Sequence, residues 1–158
     1  MNILYLTIGA PGSGKTTFAK ELLKNAFINP KSNPLHYLSS DELRAQLGKD
    51  ENDQSVTPQV FDHIKKKVVE YLEIGDSVLI DATNINKKDR KYYIDVAKRN
   101  NAKVIGFVCN VTKDELIERN IKRGESGGRN VPVWVIEKML SKYEPPTTDE
   151  GFDEIIYV

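Results

Sequence analysis

The chain has a single cysteine, no excess of either charge and no long apolar stretch, and each absence argues against a class of protein. Cys109 alone cannot form an internal disulfide, and it lies in the apolar run VIGFVCNV, which predicts a buried structural thiol in a reducing compartment. Twenty-three basic residues balance 23 acidic ones. This balance argues against charge-driven coating of nucleic acid but leaves room for a local basic patch that grips one strand end.

No segment approaches the run of about 20 apolar residues that a membrane-spanning helix needs. The first residues, MNILYLTIGAPG, have no basic region ahead of their apolar run, so no signal peptide is expected. Together with the cysteine usage, these features predict a cytoplasmic protein without a membrane partner.

Short apolar runs alternate with helical patterns, which predicts an α/β fold with a mostly parallel sheet of about five strands. The runs are rich in β-branched residues and lack strict alternation, as is typical of strands that helices cover on both faces. A chain of 158 residues without repeat or linker predicts one domain, residues 1–158. The predicted strands are Ile3–Ile8, Leu35–Leu38, Val78–Ile80, Val104–Val108 and Ile155–Val158.

Capping residues place helices between these strands. Thr57 predicts an N-cap, and the helix that follows should run to about Ile74, where Gly75 ends it. TKDE, with Thr112 and Glu115, is a capping box that predicts another helix start. Other helices are predicted to begin at Lys15, near Asp41 and near Pro132, the last of these stopping before Pro145-Pro146, and a further helix is predicted at about Lys87–Arg99. The polar residues 48–55 should form a mobile loop.

The segment GAPGSGKT matches the pattern G-x-x-x-x-G-K-[ST] in full, and it follows an apolar strand and opens a helix. Its glycines let backbone N–H groups point around an anion, and the helix N-terminus adds about half a positive charge. Lys15 is expected to reach the β- and γ-phosphates, and the Thr16 hydroxyl to bind Mg²⁺. The motif predicts binding of a nucleoside triphosphate but does not specify a reaction. The predicted nucleotide-binding residues here are Gly9, Ala10, Pro11, Gly12, Ser13, Gly14, Lys15, Thr16 and Thr17.

The segment VLIDATN ends a predicted strand with an acid. Ligands of open α/β sheets bind at the carboxyl ends of the strands, so Asp81 is a candidate for the Mg²⁺ site, through water. The alternative is that Asp81 caps the following turn. Thr83 and Asn84 either bind the acceptor or only build that turn.

The segment ELIERNIKRGESGGRN combines a basic helix end with a glycine-rich loop. Arg119 and Arg123 are four residues apart and share one face of a helix. This arrangement predicts a lid, at about residues 119–130, that closes over the triphosphate and stabilises charge during phosphoryl transfer. A solvated basic face is the alternative, with Glu115 one turn before Arg119. The segment also contains Lys122 and Arg129.

The segment YLSSDELRAQLG places Asp41 and Arg44 three residues apart just after the second predicted strand. Phosphoryl transfer to an alcohol needs a carboxylate near the attacking hydroxyl and a cationic group for the acceptor. The guanidinium fork of Arg44 suits a phosphate. The pair therefore predicts a general base and an acceptor clamp, the alternative being an ordinary first helical turn with a solvated arginine.

With the phosphate loop, D-x-x-R, DATN and RNIKRG in this order, the chain resembles polynucleotide 5′-kinases, and it looks most like the kinase domain of bacteriophage and bacterial polynucleotide kinase–phosphatase enzymes. The resemblance runs through VPVWVIEKMLSKYEPPT and so covers nearly the whole chain. It implies a P-loop NTPase-type three-layer fold and a kinase that moves the γ-phosphate of ATP, with Mg²⁺, to the 5′-hydroxyl end of DNA or RNA, as in end repair. By position, Lys15 and Thr16 serve the phosphates and metal, Asp41 is the general base, Arg44 holds the acceptor's 3′-phosphate and Arg123 is the lid arginine.

The chain departs from that family in two respects. Phage members often have Ser-Asp-Thr-Asn where this chain has Asp81-Ala82-Thr83-Asn84, so the acid is displaced by one residue and is assigned here to the metal. No phosphatase acid motif follows the kinase segment, so any end-healing phosphatase or ligase is expected to be a separate partner.

Two other functions remain open from the residues. A kinase for a small alcohol such as a nucleoside, sugar or antibiotic is favoured by the zero net charge. A nucleotide-binding switch without an external acceptor is disfavoured by the Asp41–Arg44 pair. A nucleic-acid kinase should have an open acceptor channel, and a metabolite kinase should have a closed acceptor pocket. The basic residues predicted to line such a channel are Arg44, Lys87, Lys88 and Arg90. Arg90, like Arg44, is also a predicted acceptor contact. Trp134, Tyr92 and Tyr93 either stack on bases or pack in the core, and core packing is the favoured interpretation.

Overall fold

In the part of the chain that the structure describes, five parallel strands form one sheet; the sequence predicted this sheet but not its strand order, β2-β3-β1-β4-β5. The computed structural model describes residues 1–28, 33–128 and 131–158. Arg129 and Asn130, at the end of the predicted lid, lie outside these residues. The strands are β1 (Ile3–Ile8), β2 (Leu35–Ser39), β3 (Ser77–Asp81), β4 (Lys103–Val108) and β5 (Glu154–Tyr157).

The register of the strands brings their carboxyl ends to one edge of the sheet. Ser39 at the end of β2 lies opposite Asp81 at the end of β3, and Ile8 at the end of β1 lies opposite Val108 at the end of β4. The segments that leave these strands, which contain the phosphate loop, DELR and DATN, therefore emerge side by side. This placement is what a ligand site at the carboxyl edge requires.

Among the described residues, six helices connect the strands, and their ends show how far capping residues predicted the boundaries. Thr112 accepts a hydrogen bond from the Glu115 backbone N–H at 3.3 Å, which confirms that N-cap. The predicted N-cap at Thr57 is wrong, because the helix already includes Thr57 and Val56 occupies the cap position without a side-chain hydrogen bond. The helices are α1 (Lys15–Ile28), α2 (Ser40–Leu47), α3 (Thr57–Glu73), α4 (Lys87–Arg99), α5 (Lys113–Glu125) and α6 (Val133–Ser141), with 3₁₀ turns at Gln54–Val56 and Thr148–Glu150.

Apolar side chains leave the sheet on both faces, so the molecule has three layers. On one face the β1 residues Leu4 and Leu6 are fully buried in a cluster that includes the inner faces of α3 and α4. On the other face the ring of Tyr5 stacks with Phe107, which also packs against Phe18 of α1. The alternation of Leu4, Tyr5 and Leu6 follows from the two-residue period of a strand.

The burial of individual residues confirms some interpretations and corrects others. Cys109 and Tyr93 are buried, as predicted. Tyr92 is 38% exposed and Trp134 is 67% exposed, so the core interpretation is wrong for these two rings. The buried position of α6 is taken by Ile136 instead. Among the helices in the described ranges, none combines the length and the apolar character that crossing a membrane would demand.

Candidate active site

The phosphate loop joins β1 to α1 and has the backbone shape of an anion cradle. Gly12 and Gly14 have φ angles of 81° and 96°, a region that residues with a side chain rarely adopt. A Cβ at Gly9 would lie 2.7 Å from the Cys109 carbonyl oxygen, a backbone atom in the adjoining strand end, so only glycine fits there. The Gly9 N–H donates to the Thr83 carbonyl at 2.9 Å, which fixes the loop to the segment that follows β3.

Lys15 points into the loop rather than into solvent. Its ammonium donates to the Ala10 carbonyl at 3.0 Å, and the residue is only 9% exposed. Burial lowers the pKa of Lys15 to about 8, although the nearby carboxylates of Asp81 and Asp41 oppose that shift. A buried cation with few neutralising neighbours is well suited to receive phosphate oxygens.

Helix α5 braces the loop from the side. The Asn120 amide donates to the Pro11 carbonyl at 2.6 Å and to the Leu116 carbonyl at 2.8 Å, and the residue is 1% exposed. Arg119 donates to the Gly12 carbonyl at 3.3 Å and forms an ion pair of 2.6 Å with Glu115. The helix that carries the predicted lid arginines is therefore in contact with the phosphate loop.

A buried carboxylate lies beside the start of α1. Asp81 is 3% exposed, and its Oδ2 accepts hydrogen bonds from the Thr16 hydroxyl at 2.8 Å and the Tyr37 hydroxyl at 2.5 Å. Burial raises the pKa of Tyr37, and the adjacent Asp81 raises it further, so Tyr37 remains a proton donor at neutral pH. The hard oxygens of Thr16 and Asp81 fit a Mg²⁺ ion that also binds phosphate oxygens and water.

A second carboxylate, that of Asp41, is held between two arginines. Arg44 donates to Asp41 Oδ1 at 3.0 Å, and Arg123 of α5 donates to Asp41 Oδ2 at 2.5 Å. The Ser39 hydroxyl accepts from the Glu42 N–H at 3.2 Å and starts the helix that carries Asp41. The predicted base and the predicted lid arginine are thus in direct contact.

These groups surround a continuous space at the carboxyl edge. A cavity of about 440 Å³ lies over the phosphate loop, and its walls include Gly14, Lys15, Thr16, Asp41, Arg119 and Arg123. A smaller pocket of about 20 Å³ lies next to it, and its walls include Lys15, Thr16, Asp41, Asp81, Thr83 and Arg123. The larger cavity has the volume of a typical ligand site, and the smaller one lies among all the predicted catalytic groups.

Three predicted acceptor contacts do not fit their positions. Arg90 is fully buried, where it binds the Glu150 carboxylate and the Asn84 carbonyl. The Asn84 side chain is buried as well and donates to the Thr7 carbonyl at 2.9 Å, so it builds the turn. Arg44 is 3% exposed and its guanidinium is directed to Asp41. All three side chains are buried and bonded within the fold, whereas the two other predicted acceptor contacts, Asp41 and Thr83, line the small pocket.

Sequence reasoning also missed residues that the site contains. Tyr37 lies within a strand pattern, and nothing in the sequence marks its hydroxyl as a partner of Asp81. Asn120 is a polar residue in the middle of a helix, a position that offered a weak signal. Glu51 lines the larger cavity, and the neighbouring Asn52 amide donates to the Gly128 carbonyl at 3.5 Å. The polar loop of residues 48–55 is therefore part of the wall of the site.

A parallel five-stranded sheet whose first strand runs into this phosphate loop defines an α/β protein of the P-loop kinase class. The sequence model of a family described as AAA domain (AAA_33) matches residues 4–146, and the chain belongs to this family. Family, fold and loop agree on a domain with a P-loop kinase-like fold and a candidate nucleotide site at the phosphate loop.

Several known proteins are similar to the chain. The chain is 26% identical over 151 residues to the L-seryl-tRNA(Sec) kinase of Methanococcus maripaludis, which covers 96% of this chain but 56% of that kinase. The chain therefore spans about half the length of this curated relative. Kti12 of Chaetomium thermophilum, in complex with ADP-AlF3, is similar at a TM-score of 0.78 and 21% identity, over 98% of this chain and 88% of the other. A chain of the Pnkp1/Rnl/Hen1 RNA repair complex is similar at a TM-score of 0.72 and 25% identity, over 89% of this chain and 43% of the other.

Proposed function

We propose that the protein is an ATP-dependent kinase that transfers the γ-phosphate to the 5′-hydroxyl end of DNA or RNA. The observation that carries this proposal is the position of Asp41, whose carboxylate lines the small pocket together with Lys15 and Thr16. A hydroxyl in that pocket would be next to both a proton acceptor and the terminal phosphate. The likeness to a chain of an RNA repair complex supports a nucleic-acid acceptor.

The donor side of the reaction is assigned to the loop and its neighbours. The loop N–H groups, Lys15, Arg119 and Arg123 bind the triphosphate. Thr16 and Asp81 would hold Mg²⁺ through their oxygen atoms. When bound, Mg²⁺ neutralises charge on the phosphates. Arg123 leaves Asp41 for the phosphate oxygens, because a triphosphate offers more negative charge than one carboxylate.

The acceptor side is assigned to Asp41. Its carboxylate takes the proton of the acceptor hydroxyl as the oxygen attacks the γ-phosphorus. The new oxygen–phosphorus bond forms, the bond to the β,γ-bridging oxygen breaks, and ADP leaves. Arg44 holds the carboxylate in place from the buried side. This positioning role replaces the predicted contact of Arg44 with an acceptor phosphate.

A kinase for a small alcohol is the second candidate. The pocket at Asp41 has a volume of only about 20 Å³, which accommodates a hydroxyl and little more, and the formal net charge is zero. Either acceptor class would use the same donor site, so the acceptor itself must be identified by transfer.

The test is transfer of labelled γ-phosphate from ATP to DNA and RNA oligonucleotides with 5′-hydroxyl ends, with nucleosides and sugars in parallel. We expect label on the oligonucleotides, none with Lys15→Ala, and a loss in kcat of about 10²–10⁴-fold with Asp41→Asn. Label on a nucleoside or sugar alone would establish the second candidate. ATP hydrolysis without any labelled acceptor would refute both kinase assignments.

A further inference from the structure

A second cavity, of about 300 Å³, lies on the far side of Thr83 from the phosphate loop. Its walls include Phe61 and Lys65 of α3, Thr83, and Lys88, Tyr92 and Tyr93 of α4; we call these six residues the α3–α4 groove. Thr83 lines both this groove and the small pocket at Asp41. The groove therefore begins where the reacting hydroxyl would lie, and it leads away from the donor.

The two lysines of the groove are not neutralised by ion pairs among the described residues. Lys65 and Lys88 are exposed, and in the described part of the chain neither lies within 4.0 Å of a carboxylate. Five other lysines outside the groove are neutralised by ion pairs: Lys67, Lys91, Lys98, Lys113 and Lys122. Against one acid in the lining, Asp89, the groove has two cations available for an anion.

An aromatic surface lies beside these cations. The Lys65 ammonium is 5.1 Å from the centroid of the Tyr92 ring, which is 38% exposed. The buried Tyr93 holds that ring in an edge contact with 5.6 Å between centroids. A fixed, partly exposed ring next to ammonium groups matches how single-stranded nucleic acid is bound, with bases on aromatic faces and phosphates on cations.

We propose that the α3–α4 groove binds the single strand behind its reacting 5′ end, with Lys65 and Lys88 on the first internucleotide phosphates and Tyr92 against a base. This inference rests on the proposed function, and it names the part of the protein that selects a polynucleotide. A small alcohol would contact only the pocket at Asp41. A groove with this chemistry would instead bind an acceptor that continues beyond its reacting end. The groove also supplies the cations that the buried Arg44 and Arg90 do not.

The test compares a 5′-hydroxyl octanucleotide with the matching nucleoside, which has none of the internucleotide phosphates. The readout is the ratio of kcat/KM for the long acceptor to that for the short one. The variants are the double change Lys65→Gln with Lys88→Gln, and Tyr92→Leu. Lys91→Gln is the control, since Lys91 lies on the same helix but is 73% exposed and paired with Asp95.

We expect the ratio to fall about tenfold in the double variant and in Tyr92→Leu, and to stay at the wild-type value in Lys91→Gln. The dependence of log(kcat/KM) on log salt for the octanucleotide should also become shallower by about 1.4 in the double variant, since it removes two phosphate contacts and each contributes about 0.7 on a single strand. An unchanged ratio in both variants, with the octanucleotide still phosphorylated, would overturn the groove while the proposed function stands. Failure of the wild type to phosphorylate either acceptor would overturn both.

Discussion

The chemistry of the site depends on a few side chains whose properties are set by burial. Lys15 is almost enclosed, so its ammonium lacks the hydration that a surface lysine has, and the pKa falls to about 8. Asp81 is equally enclosed, but it accepts hydrogen bonds from three hydroxyl groups, those of Thr7, Thr16 and Tyr37. A bound phosphate should therefore change the protonation of Lys15, and the Tyr37 hydroxyl should determine how well Asp81 binds a metal ion.

Nucleotide binding should be linked to proton uptake by Lys15. A lysine with a lowered pKa is partly neutral in the free protein near pH 8, and a bound triphosphate restores its charge. Binding of Mg²⁺-ATP should therefore take up about half a proton at pH 8, and affinity should decrease as pH rises above that value. Calorimetry in two buffers of different ionisation enthalpy measures the uptake; identical heats in both at pH 8 would show that Lys15 is already fully charged.

Removal of the Tyr37 hydroxyl should weaken the metal site. Tyr37→Phe keeps the ring but takes one donor from Asp81, and loss of such an outer partner typically costs 10–100-fold in metal affinity or activity. We expect the Mg²⁺ concentration for half-maximal phosphate transfer to rise about tenfold. Tyr157→Phe, at an exposed ring of β5, is the matched control. A Mg²⁺ titration that coincides with wild type would leave Tyr37 with a packing role only.

At the scale of elements, α5 is the component that joins donor and acceptor. One face of this helix contacts the phosphate loop through Arg119 and Asn120, and its last turn reaches Asp41 through Arg123. Gly127, with a φ angle of 84°, follows the helix. An arginine that is shared between a carboxylate and incoming phosphates makes the position of this helix sensitive to the nucleotide.

Hydrogen exchange should report that sharing. In the free protein, Asp41→Asn and Arg123→Ala should both speed exchange in residues 124–128, because each removes the ion pair that fixes the end of α5. An ATP analogue with Mg²⁺ should slow exchange in wild type and Asp41→Asn, but not in Arg123→Ala. Lys122→Ala, an exposed neighbour paired with Glu118, should behave like wild type. Equal protection by the analogue in Arg123→Ala would argue against a lid role for this arginine.

At the scale of the whole molecule, one buried arginine ties distant segments together. Arg90 of α4 donates to the Asn84 carbonyl, to the Glu144 carbonyl at 2.9 Å and to the Glu150 carboxylate at 2.8 Å. These contacts bind the turn after β3 to the segment that leads into β5. The arginine therefore supports the turn on which Thr83 lies.

Arg90→Met should destabilise the fold by about 3 kcal/mol, because it leaves the Glu150 carboxylate without its partner in a mostly buried position. A thermal melt should show a loss of several degrees, while Lys91→Met, on the same helix and exposed, should change stability by less than about 0.5 kcal/mol. An unaltered melt together with a raised KM for the acceptor would restore the original prediction that Arg90 contacts the substrate.

The sequence was most informative where a local pattern determines the structure. The phosphate loop and the bounds of α4 follow from neighbouring residues, and the structure agrees with them. The predictions for Arg44, Arg90 and Trp134 depended on partners or packing far along the chain, such as Glu150 at 60 residues from Arg90. No local pattern in a single sequence shows which distant residue will pair with a given side chain. For this reason Arg44 and Arg90, which were predicted to face the acceptor, are buried in the structure.

The phosphate loop and the proposed acceptor groove belong to different parts of the sequence, and they adjoin only at Thr83. The loop and its brace come from β1, α1 and α5, whereas the groove comes from residues 57–99. Substitutions in α3 and α4 can therefore accumulate over generations and shift acceptor preference without disturbing how ATP is held. A chimera that receives only α3 and α4 from another family member, and keeps its own β3 with Asp81, should inherit the acceptor of the parent of those helices while it retains its own nucleotide chemistry.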